Sequence, residues 1–91
     1  MSTPFMLPDK LDTAAAASLH DALAAQSLGQ VSLDGAQVRS CGALCAQVLL
    51  AARRDADARS AGFTLRPSAA MEDDLRLLGL GAELLSEGSD A

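Results

Sequence analysis

Two cysteines, Cys41 and Cys45, stand four residues apart and are the only thiols in the chain. At that spacing they share one helix face if the helix begins early, and two such side chains could start a metal site. Tetrahedral zinc needs four ligands, and the single histidine, His20, is distant in sequence. The pair therefore reads as small buried apolar residues, and His20, between Leu19 and Asp21, as a surface side chain. Glu72-Asp73-Asp74 could hold a cation, but their place in the first turn of a predicted helix, near the positive end of its dipole, accounts for them. The run from Leu78 to Leu84 has two glycines of a dinucleotide fingerprint, yet it follows a helix rather than a strand. No Ser/His/Asp order carries a nucleophile motif. The residue types predict no catalytic site, no cofactor and no metal.

The elements that must position such residues belong to a short chain. Its 91 residues carry 7 basic and 12 acidic side chains, a net charge of −5, and Phe5 and Phe63 are its only aromatics. One domain is expected, over residues 1–85, with a polar tail at 86–91. An acidic chain without Trp or Tyr lacks both the basic footprint and the stacking platforms that nucleic acid asks for. The longest apolar run, Val48 to Ala52, is far below the ~20 residues that span a bilayer. No basic, apolar leader opens the chain, and two cysteines are few for a secreted disulfide scaffold, so a cytoplasmic location is expected. Through Pro67 the charges cancel. The acidic surplus lies in Glu72, Asp73, Asp74, Glu83, Glu87 and Asp90, which face only Arg76.

Periodicity alternates short strands with helices. Phe5-Met6-Leu7, between two prolines, suits a short edge segment. Asp12 or Thr13 can cap a first helix whose inner face is Ala15, Leu19, Ala22 and Leu23, with Leu28-Gly29 as its stop. Gln30 to Asp34 alternates as a half-buried strand. A second helix is predicted from about Gly42 to Ser60, with Leu44, Cys45, Val48, Leu49, Ala52 and Ala56 inward. Phe63-Thr64-Leu65 forms the next strand and Pro67 closes it. Ser68 then caps a third helix, with Met71, Leu75 and Leu78 inward and Gly79 as its end. This order calls for an α/β two-layer domain, with a mixed or parallel sheet of three to four strands and three main helices mainly on one face.

The segments "LPDKLDTAAAASLHDAL", "VSLDGAQV", "CAQVLLAARRDADARSAGFTLRPS" and "SAAMEDDLRLLGL" together resemble the STAS domains shared by anti-sigma-factor antagonists and sulfate transporters. The likeness spans most of the chain and is closest to small stand-alone bacterial members. In the antagonist branch a serine where the central strand meets the second helix is phosphorylated by a partner kinase. Here, aligned without gaps from Asp34, those positions fall on Gly42, Ala43, Leu44 and Cys45. Aligned on glycine they read Arg39, Ser40, Cys41 and Gly42, which makes Cys41 the acceptor and shortens the preceding loop. Neither register leaves a serine at the usual place, and Ser40 is the remaining candidate for phosphorylation.

The resemblance implies a non-enzymatic regulatory domain that docks on another protein through the second helix and the loop before it. The expected contact residues are Arg39, Ser40, Gly42, Ala43, Ala46, Gln47 and Leu50, with Leu50 as the large apolar group that the predicted core face does not require, the alternative being that a helix lying on a sheet buries a wide stripe and takes Leu50 in. The implied partner is an anti-sigma factor or a signalling histidine kinase, as in chemotaxis-associated members. A transport ATPase is the partner if the chain resembles the lipid-transport branch. A bound small ligand is the remaining alternative. Family members usually open with a further strand that is short or missing here, so an uncovered sheet edge and a homodimer are also expected.

Overall fold

The computed structural model describes residues 4–26 and 30–85. The expected helix stop at Leu28-Gly29 and the expected tail at 86–91 lie outside them. Among the described residues, five strands and four helices follow in the order β1 (Phe5–Met6), β2 (Lys10–Leu11), α1 (Ala16–Ala25), β3 (Val31–Gly35), β4 (Ser40–Cys41), α2 (Ala43–Ala58), β5 (Phe63–Pro67), α3 (Ala69–Leu77) and α4 (Gly81–Leu85). The α/β class and its two layers are as expected. The strands divide between two small sheets, β1-β3-β5 and β2-β4, and every described pairing is parallel.

Alternation along β3 decides which face is covered. Val31, Leu33 and Gly35 are buried while Ser32 and Asp34 are half-buried, so one sheet face carries the core and the other is polar. Parallel register places Phe5, Leu33 and Leu65 in one row on the core face, and Met6, Asp34 and Arg66 in one row on the open face. The helices supply the second layer. Leu19 and Leu23 of α1, Cys45 and Leu49 of α2, and Met71 and Leu75 of α3 join Val31 and Leu33 in one buried cluster.

Local chemistry starts α1 and α3, and ends α3, as predicted. Asp12 Oδ1 accepts the Ala15 N–H at 3.0 Å and begins a single 3-10 turn, Thr13–Ala15, which runs into α1. Ser68 Oγ accepts the Met71 N–H at 3.0 Å and donates to the Val38 carbonyl, so one hydroxyl caps α3 and anchors the loop before β4. Gly79, at φ +79°, ends α3 by entering the left-handed region that favours glycine. At the end of α2 the same role falls on Ser60, at φ 58°, rather than on Gly62.

The sheet also limits what can replace Gly35. A Cβ there would lie 2.9 Å from Met71 Sδ and 3.2 Å from the Arg66 carbonyl oxygen, so the end of β3 approaches α3 and β5 more closely than a side chain allows.

Three predicted leucine orientations are corrected. Leu44 was expected in the core and is 50% exposed, whereas Leu50, expected outside, is 6% exposed. Leu78, expected inward, is 39% exposed. The buried stripe of α2 is rotated toward Ala46, Leu50 and Arg53 because α4 covers that flank. The Arg53 guanidinium donates to the Glu83 carbonyl at 3.0 Å, and Arg54 pairs with the Glu83 carboxylate at 3.2 Å. The α4 helix itself escaped prediction, although Leu80 and Leu84 have its spacing and the Leu84 N–H bonds to the Leu80 carbonyl at 3.1 Å.

Candidate protein-binding surface

The segment before α2 is held from three sides. The Arg39 and Ser40 N–H groups both donate to the Asp9 carbonyl, at 2.6 and 3.3 Å, and the Gly42 N–H donates to the Leu11 carbonyl at 2.9 Å. From α3, Asp74 Oδ2 accepts the Cys41 N–H at 2.8 Å. The predicted loop is therefore a strand, β4, lying beside β2 with Lys10 opposite Ser40 and Leu11 opposite Cys41. No sequence signal marks two-residue strands of this kind. Opposed residues of parallel strands share a face, so Leu11 and Cys41 point into the core while Lys10 and Ser40 are exposed side by side.

This frame presents Arg39, Ser40, Gly42, Ala43 and Gln47 to solvent, as the sequence reading expects. Ala46 and Leu50 do not join them, since both are buried, at 0% and 6% exposure. Leu44 takes the place assigned to Leu50. It is the one large apolar side chain of α2 that stands exposed, with Ala43 and Gln47 beside it.

From Gln47 the surface continues into a groove of about 440 Å³ between α1 and α2. Leu23, Val31, Val48 and Ala52 line its depth, and His20 and Arg59 are among the polar residues bordering it. Alanines along both helices leave this space because they reach too short a distance to fill it. His20 is exposed, as expected, and its Nδ1 lies 3.8 Å from Asp21. The arginines at the far end of α2 are engaged within the domain. Arg53 pairs with Asp57 at 3.4 Å and stacks over the Phe63 ring at 5.6 Å, and Arg59 pairs with Asp55 at 3.0 Å.

Both cysteines are buried, as predicted from their spacing. Burial pushes the Cys41 thiol up to about 11, and the neighbouring Cys45 and Asp74 act in the same direction. Burial, followed by the charge of Asp12, also raises Cys45. Cys45 Sγ lies 3.3 Å from the Asp12 carbonyl, which orients it as a weak donor into the core. A thiol is nucleophilic as its thiolate, so neither group is prepared for attack at neutral pH.

Among the described residues no helix is long and apolar enough to cross a membrane. Comparison with known proteins finds no matching family model, no similar curated protein and no similar solved structure.

Proposed function

We propose that this chain is a non-enzymatic regulatory domain of the STAS type, acting by occupancy: β4 and the first two turns of α2 dock on a partner protein. The observation that carries the reading is the half-exposed Leu44 on a surface fixed by the Cys41–Asp74, Gly42–Leu11 and Arg39–Asp9 hydrogen bonds. A preformed contact area loses little conformational freedom on binding, and one apolar anchor beside Ala43 and Gln47 suits a modest, reversible interaction. The resemblance directs the choice of partner toward an anti-sigma factor, a histidine kinase or a transport ATPase. Ser40 would place a phosphate beside Lys10 on this same surface.

Pull-downs from native lysate with the wild-type chain and with Leu44→Asp test the proposal. The wild type is expected to retain a regulatory protein that Leu44→Asp loses while keeping its melting temperature. Equal recovery by both chains overturns it.

The groove between α1 and α2 supports a second reading, a carrier of a small apolar ligand, because its size and apolar lining fall within the range of ligand clefts. Native mass spectrometry tests it through retained mass.

A further inference from the structure

The strand order β1-β3-β5 leaves both outer strands paired on one side only. The two edges differ. β1 is two residues long and lies between Pro4 and Pro8, which blunts it as a template for another strand. β5 has five residues, with its one proline last and its one charge at Arg66.

The hydrogen bonding of β5 follows from its register. The Val31 N–H donates to the Gly62 carbonyl at 2.9 Å, and the pairing runs from Val31 opposite Phe63 to Gly35 opposite Pro67. Backbone groups alternate sides along a strand, so Gly62, Thr64 and Arg66 direct theirs to β3, while Phe63 and Leu65 direct theirs to the free edge. Among the described residues, the N–H and C=O groups of Phe63 and Leu65 have no partner.

We infer that this edge pairs with the same edge of a second copy, antiparallel about a two-fold axis at Thr64. In that register Phe63 of each copy exchanges both hydrogen bonds with Leu65 of the other, which satisfies all the outward groups of both residues. The ends also match. Pro67, which has no N–H, falls opposite Ala61 of the other copy, whose N–H is already given to the Ala56 carbonyl at 2.8 Å. An axis at Leu65 instead sets Phe63 opposite Pro67 and leaves the Phe63 carbonyl without a donor. With the axis at Thr64, Arg66 lies opposite Gly62, so no like charges meet. The two threonines face each other on the open side of a continuous six-stranded sheet, a favourable cross-strand pair.

The pairing is independent of the docking surface and is tested without it. Sedimentation equilibrium gives the oligomeric state, and amide exchange read at Phe63 and Leu65 over a range of protein concentrations locates the contact. The wild type is expected to dimerise, with both amides protected when concentrated and exposed on dilution. Thr64→Lys sets two ammonium groups against each other at the axis, from an exposed position, and is expected to give a folded monomer that melts where the diluted wild type does, with fast exchange at both amides. Thr64→Val is expected to keep the dimer. A wild type that stays monomeric overturns the inference, whether the two amides exchange fast or are protected at every dilution. So does a dimer in which they remain unprotected.

Discussion

Asp74 of α3 accepts the backbone N–H of Cys41 at 2.8 Å, across 33 residues of sequence, and so joins the third helix to the strand that leads into α2. The carboxylate that looked like part of an acidic cluster is a structural acceptor. Its neighbour Glu72 pairs with Arg76 at 3.3 Å, within the helix. Asp74→Ala leaves a part-buried N–H without its charged partner, which is expected to cost about 1–3 kcal/mol in denaturant unfolding. Amide exchange at Cys41 should accelerate more than at Leu33, and equal acceleration at both would mean that only global stability had changed.

Leu44 and Leu50 separate surface from core. Leu50→Asp puts a carboxylate into a buried position and is expected to unfold the domain or cost several kcal/mol. Leu44→Asp, at a half-exposed position, is expected to change stability by less than about 1 kcal/mol. Thermal melts of the two variants decide the orientation of α2, and comparable losses would contradict it.

Gly35 is expected to tolerate no side chain without rearrangement. In Gly35→Ala the new methyl meets the buried Met71 and the Arg66 carbonyl, a steric load of about 1–3 kcal/mol. Met71→Ala alone should also destabilise, by leaving a cavity. The double variant should lose less than the sum of the two, because the shortened Met71 makes room for the methyl. Strict additivity in urea unfolding would show that the two residues do not collide.

The Cys41 thiol gives stability a defined dependence at alkaline pH. Its pKa is about 11 in the folded chain, against ~8.5 for an unperturbed cysteine, so the folded state holds the proton that the unfolded state has released. Stability from this group is complete below ~8.5 and falls as pH rises through the window up to about 11. Denaturation midpoints measured up that range should decline, and more shallowly for Cys41→Ala. The same burial predicts that iodoacetamide modifies the native chain slowly at neutral pH and the unfolded chain quickly. Equal rates in both states would place Cys41 at the surface.

Much of this protein was legible in the chain itself, because local signals act over a few residues. Asp12 and Ser68 cap helices where their oxygens reach free N–H groups, Gly79 supplies the positive φ that ends α3, and the alternation from Val31 to Asp34 identifies a half-buried strand. The α/β class follows from that order of elements. The spacing of Cys41 and Cys45, with no further ligand nearby in sequence, was read as two buried thiols, and both are buried. The surface was legible in part: Arg39, Ser40, Gly42, Ala43 and Gln47 were read as contact residues and are exposed, Ala46 and Leu50 were read the same way and are buried, and Leu44 was read as core and is half-exposed.

Tertiary structure decided the rest because it depends on residues far apart. Helical periodicity says that α2 has an apolar stripe, but its rotation is set by which flank a neighbour covers. Here α4, through Glu83, covers the side bearing Arg53 and Arg54, which buries Leu50 and turns Leu44 outward. The pairing of β2 with β4 and the bond from Cys41 to Asp74 likewise arise only once the chain has closed on itself. Side-chain type and short-range spacing thus determined the elements. Long-range burial determined which of their faces meets solvent, because exposure depends on which neighbours pack over a residue.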